Sequence, residues 1–159
     1  MQAVPTNAFS SRYIVSENGV MVADIQYASL RERATVRIGD RSLELARRGP
    51  VRGSLALTEH GVEVAQAERA GAMSRVWHIR STAASYDLTK RSWWSSAYEL
   101  RSAGRIVGSV QPKGVLKRGA TVDLPSQTAI ELRVFVLVVV LTLWRREDSA
   151  AVAAVGSGS

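Results

Sequence analysis

The sequence predicts a mainly-β protein: a closed antiparallel β-barrel of about twelve strands wrapped around a C-terminal hydrophobic α-helix. Three observations carry this reading. Turn signals recur at short intervals and separate runs with apolar residues at spacing two. One segment near the carboxyl end is apolar on every side, which only complete enclosure satisfies. No second helix is available to enclose it, so the hairpins must curl and close, which also removes their edges.

Residues 1–11 are short and polar and read as a flexible N-terminus. With no cationic start and no apolar stretch, they lack the marks of a secretory signal, and a cytoplasmic location is the expectation. Residues 13–15 lead through Asn18-Gly19 into a strand at 20–27, where Val20, Val22, Ile25 and Tyr27 are apolar. Residues 35–38 and 42–46 flank Gly39-Asp40, with Val36, Ile38, Leu43 and Leu45 at spacing two. Leu55 and Leu57, then Val62 and Val64, repeat the device around His60-Gly61. Segments 76–79, 86–88, 93–100, 106–110 and 115–122 continue it, with turns at Ala103-Gly104 and Pro112-Lys113-Gly114.

Residues 134–144 break the pattern: eleven residues without a charge or a turn former, bounded by Arg133 and by Arg145-Arg146. A transmembrane helix needs about 20 apolar residues, and extension in either direction meets charges. A buried strand is favoured by the five valines. A helix is favoured by Asp123-Leu124-Pro125-Ser126, a capping side chain before a first-turn proline, by Thr128 with Glu131, and by Arg145 and Arg146 at the negative pole of the dipole. We read a central helix over 125–146 with Phe135, Leu137, Val138, Leu141 and Trp144 in the core. The barrel domain then spans 12–146, and 147–159, ending in uncharged Ala, Val, Gly and Ser, reads as a flexible tail.

A chain of 159 residues builds one core without disulfides or a structural metal. With Cys 0, thiol nucleophiles, iron–sulfur clusters and zinc knuckles are excluded, and 46% hydrophobic against 22% charged residues excludes wholesale disorder. The net charge of +7 is concentrated: residues 69–118 hold 10 basic and 2 acidic side chains, while the flanking segments are nearly balanced. A one-signed field of this kind attracts polyanions or anionic lipid headgroups; a solvated arginine-rich face is the plainer alternative. Within it, Lys90-Arg91-Ser92-Trp93-Trp94 joins two cations to adjacent indoles, as an interfacial membrane contact or a nucleic-acid stacking platform would, with nucleic acid the less favoured partner. Strand alternation puts Trp93 and Trp94 on opposite faces, one toward the helix and one outward. Lys113, Lys117 and Arg118 form a second anion-binding candidate.

Catalysis finds no constellation. His60 sits in a turn and His78 in a strand, and neither a nucleophile elbow nor a phosphate loop occurs. Gly104, Gly108, Gly114 and Gly119 suit turns and bulges, and Glu59, Glu63 and Glu68 suit a solvated hairpin better than a metal site. The expectation is a non-enzymatic domain with neither metal nor cofactor.

The order of short strands, Tyr98-Glu99-Leu100, the Ile-Val-Gly-Ser-Val run at 106–110, Asp123-Leu124-Pro125, and the apolar helix ending in Leu143-Trp144-Arg145-Arg146 together resemble the tubby C-terminal-like superfamily. The resemblance covers residues 12–146 and is nearest to small bacterial members related to LURP-one proteins and phospholipid scramblases. It implies a twelve-strand barrel around a hydrophobic helix, and binding of phosphoinositide-like or other anionic phospholipid headgroups. The chain lacks the cysteine clusters and calcium-binding segment associated with scramblases, so the resemblance does not extend to lipid scrambling. The expected function is therefore a binding or scaffold domain that its basic patch can bring to the inner face of a membrane. A membrane-anchored protein with the apolar segment inserted, and a scaffold for a protein partner, are the alternatives.

Overall fold

In a computed structural model, residues 1–7, 11–28, 32–49, 53–114 and 119–156 are described, Val155 and Gly156 by their backbone alone. Twelve antiparallel strands close into one barrel: β1 (Gln2–Pro5), β2 (Arg12–Glu17), β3 (Val20–Tyr27), β4 (Arg33–Ile38), β5 (Arg41–Arg48), β6 (Ser54–Glu59), β7 (Val62–Arg69), β8 (Trp77–Ser81), β9 (Ser85–Lys90), β10 (Tyr98–Ser102), β11 (Arg105–Lys113) and β12 (Gly119–Asp123). A single helix, α1 (Ile130–Gly156), follows.

Strands β2 to β12 are neighbours in chain order, so the strand-to-strand pairings are local hairpins. Closure falls to β1, which pairs with β2 through Ala3↔Val15 and with β12 through Ala3↔Ala120. Alternation then sorts the side chains. Val36, Ile38, Leu43, Leu45, Leu55, Leu57, Ile79, Leu88 and Leu100 point inward and are buried, while Arg33, Arg37, Glu44, Arg80, Asp87 and Arg101 face out. Such a charged exterior is the opposite of a lipid-facing apolar band.

Three hairpins share one design. β2–β3, β6–β7 and β10–β11 each turn on a left-handed residue followed by glycine: Asn18-Gly19 (φ 50 and 82), His60-Gly61 (50 and 81) and Ala103-Gly104 (47 and 77). Two successive positive φ values are the type I′ turn that matches strand twist. Each hairpin then shifts register at Val15/Ser16, Leu57/Thr58 or Leu100/Arg101. The device recurs every four strands, which divides the barrel into three comparable units. Gly108 beside the third bulge is needed for close approach, since a Cβ there would lie 2.4 Å from the Asp123 carbonyl oxygen.

Inside, Leu132 to Leu143 of α1 are buried on all sides, including Phe135, Leu137 and Val138 at 0% exposure and Leu141 at 2%. The valines tolerate the helix because burial outweighs their small propensity cost. One polar cluster ties helix to wall: Tyr27 Oη lies 3.0 Å from the Val138 carbonyl and 3.2 Å from Thr142 Oγ1, which is 2.8 Å from the same carbonyl. Two hydroxyl protons serve these three contacts, and burial pushes the Tyr27 phenol far up from its ordinary pKa. At the tight-turn end Arg41 bridges Glu59 and Glu131, and nine-tenths-buried Arg133 pairs with Glu17.

The structure corrects four expectations. The N-terminus is not a free tail, because the eleven hairpin-linked strands alone would leave two open edges and Gln2–Pro5 fills the gap. The helix starts at Ile130, not at 125: the Thr128 amide bonds to the Pro125 carbonyl at 2.9 Å, so 124–129 carries the chain from barrel wall to axis before the helix begins. It also runs past 146 to Gly156, since the alanines at 150, 151, 153 and 154 are strong helix formers. Finally, β10 begins at Tyr98, so Trp93 and Trp94 lie on a connection, not on a strand with opposite faces. The part of the expected 115–122 strand at 115–118 lies outside the described residues.

Candidate functional site

The helix leaves the barrel through the end formed by the longer connections, which we call the mouth. Trp144 marks the exit: half-buried rather than in the core, it donates from Nε1 to the Ser96 carbonyl at 2.8 Å. Arg145 lies 4.7 Å from the Tyr27 ring centre, and Arg146 lies 5.4 Å from that of Trp77. Arg146 also forks onto both oxygens of Glu32, at 2.5 and 2.9 Å, which holds that carboxyl below its ordinary range. Lys90, the last residue of β9 before the connection, reaches the two Glu147 oxygens at 2.8 and 2.9 Å. Tyr98 Oη donates to the same carboxylate at 3.2 Å. Burial, then the charge of Glu147, pushes the Tyr98 phenol well above its ordinary pKa.

Two clefts open here, of about 600 and 490 Å³, sharing Arg69, Trp77 and Arg146. Five cationic side chains line them, Arg47, Arg69, Arg75, Lys90 and Arg146, against two carboxylates, Glu32 and Glu147. Arg69 donates to the Ser74 backbone carbonyl at 2.5 Å, and neither Arg69 nor Arg75 has a carboxylate partner among the described residues. With Glu32 and Glu147 already paired to Arg146, Arg47 and Lys90, the excess positive charge of the clefts falls to Arg69 and Arg75.

Two neighbouring connections carry exposed indoles and, among the described residues, the most exposed of the large apolar side chains. Met73 on 70–76 is 94% exposed, and Trp93 and Trp94 on 91–97 are each 74% exposed. The indoles meet edge to face, 5.2 Å apart. They stand on an ordered frame, with Arg91 N–H bonding to Ala97 O at 2.9 Å and Ser95 N–H to Ser92 O at 3.3 Å. Past the mouth, the side chains of α1 are exposed from Glu147 to Ala154, Val152 among them.

Of the residues singled out from sequence, Lys90, Trp93 and Trp94 come together at the mouth. Arg91 is beside them but turns to Glu99 at 3.2 Å. Lys113 lies farther round the wall on β11, bonded to Gln2 of β1. Lys117 and Arg118 lie outside the described residues. Sequence reading missed Arg69, Arg75, Arg146, Glu32, Glu147 and Met73. The one available signal was Met73 with Arg69 and Arg75 around a glycine-containing turn, the same cation-plus-apolar grouping as 90–94.

The other candidates stay apart. His78 Nδ1 lies 2.7 Å from Asp87 Oδ1 on the outer face. Glu59 and Glu63 each pair with an arginine, and no metal-ligating group of three occurs among the described residues. No helix of the described residues is long and apolar enough to cross a membrane. Compared with known proteins, the chain matches no family model, no curated protein and no solved structure.

Proposed function

We propose that this domain docks on anionic lipid surfaces by the mouth of its barrel. Arg69, Arg75 and Lys90 meet phosphate-bearing headgroups, while Trp93, Trp94 and Met73 enter the interfacial layer. The observation that carries the reading is the coincidence, on two neighbouring connections, of two strongly exposed indoles and an exposed methionine with arginines that lack carboxylate partners among the described residues. Indoles favour the headgroup level because one part of the ring is apolar and the N–H wants a partner, and cations add about 1 kcal/mol each near such a surface. The resemblance of residues 12–146 to tubby-like domains supports the same reading, and the enclosure of Leu132 to Leu143 within the barrel speaks against insertion of that segment.

Vesicle flotation tests it. The chain is expected to float with vesicles containing phosphatidylglycerol at low salt, to be released as salt screens the charges, and to ignore pure phosphatidylcholine. Arg69→Gln with Arg75→Gln removes about 2 kcal/mol of attraction, so binding weakens about 30-fold. Trp93→Ala with Trp94→Ala weakens it at every salt concentration. Failure of the wild type to bind anionic vesicles at low salt overturns the reading.

A further inference from the structure

We propose that the corner between Lys90 and Tyr98 is a phosphate seat and that Glu147 is a tethered anion that fills it until a phosphate group displaces it. This rests on the docking reading and names what regulates the site. Lys90 and Tyr98 are directly opposite each other in the β9–β10 ladder, so barrel pairing sets the spacing of their heads. Those heads converge on one carboxylate, Lys90 Nζ at 2.8 and 2.9 Å and Tyr98 Oη at 3.2 Å. Tyr98 is buried at 3% exposure and the Lys90 side chain is partly buried at 22%, whereas the Glu147 side chain is 45% exposed. The seat thus belongs to the wall, and its occupant reaches in from the helix just past the mouth.

An occupied position reveals the chemistry it accepts. A carboxylate there shows that the corner takes an oxyanion with two donors on one side. A phosphate group in the same place offers more acceptor oxygens and more charge. It would also face Arg69 and Arg75, which line the same cleft and which Glu147 does not engage. Glu147 needs only side-chain rotation to leave, since its partly solvated ion pair is individually weak. While seated it competes as an intramolecular ligand and lowers the apparent affinity for any phosphate from outside.

The test uses Glu147→Gln, Asp148→Asn and Lys90→Met in the full chain. Two probes separate a lipid headgroup from a free phosphate: phosphatidylglycerol vesicles, and inorganic phosphate followed by the NMR shifts of Lys90 and Tyr98. Glu147→Gln is expected to tighten binding of at least one probe about three- to tenfold. Asp148→Asn, the same charge change one residue on, is expected to alter it less than about twofold. In the Lys90→Met background the gain from Glu147→Gln should vanish. Equal gains from Glu147→Gln and Asp148→Asn, or a gain that survives Lys90→Met, overturn the seat. Vesicle binding unaffected by Glu147→Gln, with no phosphate-induced shift, removes the seat and leaves the docking reading standing. A phosphate-induced shift that Glu147→Gln tightens, without vesicle binding, supports the seat, assigns its phosphate to a free source and sinks the docking reading instead.

Discussion

The same substitution placed at two points of α1 should have consequences of very different size. Val138 is 0% exposed inside the barrel, and Val152 is 74% exposed beyond the mouth. Val138→Asp forfeits the burial of a valine, about 1.5 to 3 kcal/mol. It also requires a carboxyl to sit in an apolar interior, where it protonates and its pKa rises by about 3 to 5 units, at about 1.4 kcal/mol per unit. The loss is then on the order of 6 to 10 kcal/mol, set against the roughly 5 to 15 kcal/mol that holds an ordinary domain folded. Val152→Asp removes little buried area and adds a charge near a helix C-terminus, which costs about 0.3 to 1 kcal/mol. Urea unfolding followed by far-UV circular dichroism reads both. Val138→Asp should be unfolded or melt at very low urea, and Val152→Asp should keep a midpoint close to wild type. Leu137→Ala, losing about 2 to 5 kcal/mol, gives a measurable midpoint if Val138→Asp does not fold at all. Equal stability of Val138→Asp and Val152→Asp would refute the enclosure of the helix.

Glu17, Glu32 and Asp24 each have a carboxyl held below its ordinary range, first by the hydrogen bond from Arg133, Arg146 or Arg12. A carboxyl that titrates lower in the folded chain than in the unfolded one contributes stability above its ordinary value, and that contribution drains away as pH falls through the folded value. Urea midpoints should therefore decline below about pH 4.5, and Glu32→Gln should flatten part of that decline; a Glu32→Gln profile parallel to wild type would show that the Arg146 fork contributes nothing. At Ala103 the φ of 47 strains a side chain that lacks the local hydrogen bonding of asparagine. Ala103→Asn should raise stability by about 1 kcal/mol, read as a Tm gain of about 2 to 4 °C in calorimetry, and a fall in Tm would contradict the turn assignment.

Much of the fold is legible in the sequence because the signals are local. Alternation at Val36, Ile38, Leu43 and Leu45 marks one buried face of a hairpin whatever surrounds it. A run such as 134–144 has no polar face to offer water, so it demands a complete wall. Hairpin turns at Asn18-Gly19 and His60-Gly61 announce themselves through residues that tolerate positive φ. β1 was illegible for the converse reason: Gln2–Pro5 has one buried side chain, Ala3, and becomes a strand because two edges await it. The alanines after Arg146 read as a linker because a run of Ala, Val, Gly and Ser carries no pattern that demands burial, yet the helix already nucleated inside the barrel propagates through them at little cost.

The candidate site divides along the same line. That cations and indoles stand together at 90–94 follows from the sequence, as does the excess of positive charge in 69–118. That Arg146 reaches Glu32, 114 residues away, and Lys90 reaches Glu147, 57 away, was decided only by the tertiary structure. The physical reason is that side-chain periodicity is set by the backbone within a few residues, whereas the partner of a charge depends on where a closed barrel brings its connections round and on the depth at which its helix emerges.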